Sequence, residues 1–254
     1  MSDFRPRSTS EILDVAFEIY RRHFAVFVAI SVFATVPWSI SAYMSQTALQ
    51  LQKPGELGAL GTSVFVILLG FCIAPFTEGA LTAAASAAYL GNPVDFSQVI
   101  HAAFRKPGRL FIAMCTKWLA MGIGFVFFIV PGLIVFKRYF ALPMTVVLED
   151  NTVGDAISRS RTLAVGNGGR IFLLIGGVLV FVFVVTIYLS GFITSLAHGA
   201  LGAVARLLLA TVLSPFGTIV STVLYYDIRI RREGYDIELM AQALNPAPSL
   251  EAIP

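Results

Sequence analysis

The chain has 254 residues, 57% apolar and only 13% charged, where a soluble domain carries about 25% charge, and its mean hydropathy is +0.80; this composition excludes a soluble globular fold. The net charge of +3 sits on Lys and Arg that flank apolar runs instead of mixing with polar and aromatic residues, which excludes nucleic acid and favours anionic lipid headgroups as partner. The charges fall in brief intervals, so a single all-α bundle spanning a membrane is expected over residues 1–234, with no segment left for a soluble catalytic unit.

The first eight residues are polar. Ser8 and Glu11 then have the spacing of a capping box, and Ile12, Val15, Ala16, Ile19 and Tyr20 form a helical stripe that ends in Arg21, Arg22 and His23. The apolar run begins too late for a secretory signal peptide, so the spacing predicts a retained interfacial helix leading into a first span at about 24–43 that is kinked by Pro37. A polar loop is expected over 44–56, with a turn at Lys53-Pro54-Gly55. The second span, about 60–88, lies in an apolar run longer than the roughly 20 residues a bilayer requires. It should bend near Pro75 and end in small residues, Gly79, Ala80, Ala83, Ala84, Ala87 and Ala88, spaced for close helix packing.

A second amphipathic segment covers 95–104, followed by Arg105, Lys106 and Arg109 and a span at about 110–130 that carries Lys117. Val130-Pro131-Gly132 leaves room only for a tight turn, so a fourth span returns at about 132–148 with Lys137 and Arg138 inside it. A third surface helix is expected over 155–165, preceded by Asn151, stopped by Gly166 to Gly169, and carrying Asp155 and Arg159 as an i, i+4 pair. The fifth and sixth spans fall at about 171–192 and 204–226, with His198 in the loop between them and Pro215 within the last. Ile237, Met240 and Leu244 mark a weak final surface helix in a tail, 235–254, that is expected to be partly disordered. Thirteen of the eighteen Lys and Arg lie on the side holding both ends, and only Lys53 and Arg206 lie opposite. The positive-inside rule then makes both ends cytoplasmic.

One pattern recurs. A surface helix is followed by an Arg-x-Phe start to a span, at Arg22-His23-Phe24, Arg109-Leu110-Phe111 and Arg170-Ile171-Phe172, and then by a hairpin back to the same face. Phe17, Phe104 and Val165 lie seven residues before the three starting Phe, and Pro75, Pro143 and Pro215 fall in the three returning spans. Such an order suggests three repeated hairpins, each docked by a surface helix.

Ionisable residues inside spans are functional candidates, because each costs roughly 2.5 to 3.5 kcal/mol at a helix centre on insertion scales. Glu78 and Lys117 have depths compatible with a pair. Arg138 lies about 10 Å from the outer turn at 1.5 Å per residue, and Lys137 projects about 100° away from it, so one partner cannot serve both. Arg138 is read either as a headgroup or substrate site on a wet cavity or as a structural charge bonded to carbonyls or a carboxylate. Cys72 and Cys115 are expected to be buried thiols, and His23, His101 and His198 are isolated, so no metal or cofactor is expected. Nucleophile, P-loop and HExxH motifs are absent, and Gly122, Gly124, Gly176 and Gly177 are assigned to helix contact instead of phosphate binding. No enzymatic activity is expected.

Pro131-Gly132, Arg138, Pro143, Glu149 and Ala156-Ile157-Ser158-Arg159-Ser160, together with Glu11 to Phe17 and the stretch from Tyr226-Asp227 to Gly234, resemble the bacterial glycerophosphoryl diester phosphodiesterase membrane-domain family and the related YciC-like inner-membrane proteins. The resemblance implies a six-span protein of the bacterial inner membrane without the soluble phosphodiesterase from which the family takes its name. It adds Glu149, Arg159 and Ser160 to the candidate lipid or ligand sites Arg138, Lys137, Glu78 and Lys117. The leading expectation is a non-catalytic protein that binds lipid headgroups or a membrane or cytoplasmic protein partner. A transporter or channel for a small molecule or ion is the first alternative, and a membrane region that assists a separate lipid phosphodiesterase is the second.

Overall fold

The computed structural model describes residues 5–51, 57–197, 199–235 and 237, without the side chains of 45–51, 57–60 and 63. The predicted turn at Lys53 to Gly55, His198, and the tail apart from Tyr235 and Ile237, with Met240 and Leu244, fall outside this description. Among the described residues every regular element is a helix, and six are long and apolar enough to cross a membrane, so the chain is an integral membrane protein.

Helix α1 (Thr9–Arg22) is held by the predicted capping box: Ser8 Oγ accepts from the Glu11 N–H and the Glu11 carboxylate accepts from the Ser8 N–H. That backbone N–H, helped by the Ser8 hydroxyl and Arg5, pulls the Glu11 carboxyl down to about 2. The stripe buries Ile12, Ala16 and Ile19. Only His23 separates α1 from α2 (Phe24–Leu51), which forms a hairpin with α3 (Leu57–Tyr89). The loop expected from residue 44 is helix through Leu51, because the segment contains good helix formers and meets no Pro or Gly before Pro54. The small residues of α3 are core: Ala80, Ala84 and Ala85 are fully buried. Pro37 and Pro75 each sit within a helix that continues past them.

Gly91, at φ +77°, turns the chain into α4 (Phe96–Phe104), capped by Asp95, whose carboxylate accepts from the Gln98 N–H. Helix α5 (Pro107–Phe127) then meets α6 (Ile129–Arg138) across the single extended residue Phe128. The turn therefore lies ahead of Pro131-Gly132. Proline is tolerated in a helix's first turn, where its missing N–H has no partner to lose, so both residues open α6. The glycines set the spacing of this hairpin: a Cβ on Gly124 would lie 3.0 Å from the Gly132 Cα. Gly122, Gly176 and Gly177 have open space around them, so the expectation of close contact holds for Gly124 alone among these four.

The fourth span is broken. Helix α6 ends at Arg138, Tyr139 to Ala141 form a turn, and α7 (Leu142–Val147) resumes with Pro143 near its start. Pro143 cannot donate to the Tyr139 carbonyl and would clash with it, which stops a continuous helix there. Helix α8 (Val153–Ala164) is capped by Thr152 and packs on α6 and α7. After α9 (Gly168–Ile171), a five-residue π segment (Phe172–Gly176) leads into α10 (Gly177–Leu196). The last helix, α11 (Gly199–Glu233), has 35 residues, roughly 52 Å at 1.5 Å per residue; it continues past Pro215, is longer than a bilayer core is thick, and contacts α1, α2, α3 and α10. Amphipathic helix, span and returning span thus follow one another three times. Phe17, Phe104 and Val165, one at each surface helix, are all exposed. Cys72 is exposed and Cys115 half-buried, so the buried thiols expected from their apolar surroundings are not found: an apolar run in a bilayer turns many of its side chains outward, where lipid and not protein covers them.

Candidate functional site

The first cluster built from the candidate residues lies where α8 crosses the end of α11. Glu149, in the loop before α8, accepts from Arg159 at 3.0 Å, Asn151 at 2.9 Å and the Tyr225 hydroxyl at 2.7 Å. Arg159 also reaches Glu233 at 2.5 Å, and these bonds, that to Glu233 first, hold its pKa above the ordinary arginine value. The i, i+4 pair expected between Asp155 and Arg159 is not made. Asp155 bonds to its own cap, Thr152, while Arg159 is drawn to two carboxylates. Beside this hub the fully buried Asp227 carboxylate pairs with Arg170 at 3.1 Å and Arg231 at 2.9 Å and accepts from the Arg7 N–H at 2.7 Å. The Arg7 carbonyl in turn accepts from both guanidinium groups. A third knot joins Asp150, held at φ +57°, to Arg105 at 2.8 Å and Lys106 at 2.7 Å; the Lys106 hydrogen bond keeps the Asp150 carboxyl below its usual range. These groups tie surface helices to spans, and Glu149 and Arg159 satisfy each other.

Lys137 and Arg138 differ. Both lie in the last turn of α6, where unpaired carbonyls favour cations. Arg138 is exposed, and its guanidinium meets no carboxylate among the described residues; Lys137 is half-buried along Gly168, its Cδ 2.8 Å from where a Cβ on that glycine would sit. Neither partner type expected for a structural Arg138 is found on its guanidinium among the described residues. The fully buried Ser160 hydroxyl donates to the Arg138 carbonyl at 2.8 Å, satisfying a group that the break in the span exposes. Arg161 on α8 stacks over Tyr139, 5.6 Å from its ring centroid, and donates to its hydroxyl at 3.0 Å. Lys137, Arg138 and Arg161 therefore flank the break in the fourth span as a cationic corner, with no acid paired to it among the described residues.

Glu78 and Lys117 are brought together as expected, at 2.7 Å, with side chains 25% and 16% exposed. They face a cavity of about 310 Å³ that neither Lys137 nor Arg138 lines, so the cavity expected beside Arg138 is instead beside this pair. Its wall draws on all three hairpins: Glu78 from α3, Lys117 from α5, and Ser214, Thr218 and Ser221 from α11. A second cavity of about 500 Å³, lined by α2, α10 and α11, contains Thr35, Ser190 and Arg206 and also Ser214. The hydroxyls of α11 were not legible in the sequence as a site. Serine and threonine in an apolar helix bond back to their own turn, as Ser221 does to the Gly217 carbonyl at 2.8 Å, so each alone carries no signal. Their spacing with Arg206, at 206, 214, 218 and 221, was the available clue. Tyr225 and Arg229 were likewise missed as partners of the hub, and Asp227 as the centre of the network beside it.

Among the described residues no three His, Cys, Asp or Glu side chains converge as metal ligands. No family model, curated protein or solved structure matches the chain.

Proposed function

We propose that the chain is a non-catalytic protein of a bacterial inner membrane, with both ends cytoplasmic, that binds anionic lipid headgroups at the corner formed by Lys137, Arg138 and Arg161. The observation that carries this reading is the contrast in pairing: Arg159, Arg170 and Arg231 are neutralised by carboxylates, whereas Arg138 stands exposed at the end of a membrane helix without one among the described residues. A phosphate matches a guanidinium in geometry and charge, and a lipid supplies it where this side chain sits. The likeness to the phosphodiesterase membrane-domain family agrees with this reading and supplies no catalytic residue. Phosphatidylglycerol and cardiolipin retained by the purified protein, measured by native mass spectrometry, should fall several-fold in Arg138→Ala. Arg159→Ala should instead lower thermal stability. Unchanged lipid in Arg138→Ala would remove the basis of the proposal.

One observation favours movement of a small solute as a second reading: Ser214, beside Pro215, lines both cavities and so stands between them. On this reading, leak of trapped potassium or glycerol from proteoliposomes drops several-fold in Ser214→Phe. An unchanged leak counts against it.

A further inference from the structure

We propose that the central cavity is a binding site for a zwitterionic group, one that carries an ammonium and an acidic oxygen a few ångström apart. The site is separate from the cationic corner and rests on different residues. Its polar floor is the Glu78–Lys117 pair. The pair is made through one carboxylate oxygen only: Lys117 Nζ meets Glu78 Oε1 at 2.7 Å, while no donor among the described residues reaches Oε2 and two of the three Lys117 N–H bonds are unspent. An ion pair inside the membrane region carries a desolvation cost that its own attraction offsets only when its remaining hydrogen-bonding capacity is also met. Here that capacity points into open space.

The chemistry of the occupant follows from the pair's neutrality. A simple anion drawn to Lys117 meets Glu78, and a simple cation drawn to Glu78 meets Lys117, so either is opposed at the distance at which it is attracted. A zwitterion answers both groups at once, its ammonium on Glu78 and its acidic oxygen on Lys117, with the hydroxyls of Ser214, Thr218 and Ser221 within the same wall. The rest of the lining is largely apolar, with Trp118, Phe136, Phe140 and Leu179, and Leu179 is 47% exposed. A polar floor and an apolar wall that reaches the bundle surface suit an amphiphile entering from the bilayer. The volume of about 310 Å³ is at the lower end of the range for ligand sites, roughly 300–1,000 Å³, which holds a headgroup and not the whole lipid.

The headgroup of phosphatidylethanolamine and free phosphoethanolamine share this chemistry, and one titration separates them. The purified full-length protein in detergent is presented with dihexanoyl phosphatidylethanolamine, with the matched phosphatidylglycerol, and with phosphoethanolamine, and binding is read by native mass spectrometry. The expected result is a preference of tenfold or more for the ethanolamine lipid over the glycerol lipid, lost in Glu78→Gln and in Lys117→Met. Because either change leaves a lone charge in the membrane and can unfold the protein, Gly217→Leu provides the second arm: Gly217 lines the cavity, and a Cβ there meets nothing within 4 Å. That variant should keep the wild-type melting temperature and lose the ethanolamine lipid. Competition by phosphoethanolamine identifies the zwitterion alone as sufficient; binding of the lipid without such competition identifies the acyl chains as part of the ligand. Equal retention of the two lipids, or a preference untouched by Gly217→Leu, overturns the proposal. Arg138→Ala should leave this preference intact, so the corner and the cavity can fail independently.

Discussion

At the scale of single residues, the charges of this protein divide by whether folding supplies them with a partner. Asp227 has the strongest set: it is fully buried, faces two guanidinium groups and accepts a backbone N–H from the segment before α1. Removing one partner of a buried pair typically costs about 3–5 kcal/mol because the opposite charge is left desolvated. Asp227→Ala should therefore destabilise the protein by about that amount, seen as a large fall in the melting temperature in detergent, and a melting temperature within error of wild type would show that the network is idle. Arg138, by contrast, stands exposed without an acid among the described residues, so its replacement should be felt in bound lipid more than in stability. Residue identity alone could not separate these cases. Both are ionisable groups beside apolar runs, and only the neighbours brought by other helices distinguish them.

Among the elements, the α5–α6 hairpin is set by the absence of side chains. A methyl on Gly124 would press on the Gly132 backbone at 3.0 and 3.1 Å, and backbone cannot swing aside. Overpacking of this kind costs typically 1–3 kcal/mol, so Gly124→Ala should lower the melting temperature, whereas Gly122→Ala, two residues away with open space around it, should be neutral or slightly stabilising. Equal effects at the two positions would disprove the close approach. The broken fourth span shows the same dependence on neighbours. Pro143 signals that a helix must stop, but the stop falls after Arg138, where Ser160 on α8 satisfies the carbonyl left over. The sequence contained the proline and the serine, 17 residues apart; their joint role needed α8 to be laid against α6.

For the molecule as a whole, a cytoplasmic placement of both ends is expected from the charge asymmetry, with Arg206 on the far side of the bundle from the surface helices. Green fluorescent protein fused after residue 254 should fluoresce in cells, and a periplasmic reporter such as alkaline phosphatase at the same place should be inactive; the reverse pattern would invert the topology. Six spans, the three amphipathic helices and the capping box at Ser8 were legible in the sequence, because each rests on local periodicity or on a group three residues away. The Glu78–Lys117 pair was within reach as well, since depth along a straight helix can be counted. Other features depended on contacts between distant segments: the closure of Glu149 by Tyr225 of α11 and of Asp227 by Arg170 of α9, the lack of an acid on Arg138 among the described residues, and the gathering of Glu78, Lys117 and the α11 hydroxyls around one cavity. The sequence by itself determined which segments enter the bilayer, because the cost of exposing backbone and charge to hydrocarbon is a property of each segment alone. Only the tertiary structure decided which charges are neutralised and which face open space, because pairing depends on the few ångström between helices that the chain order leaves free.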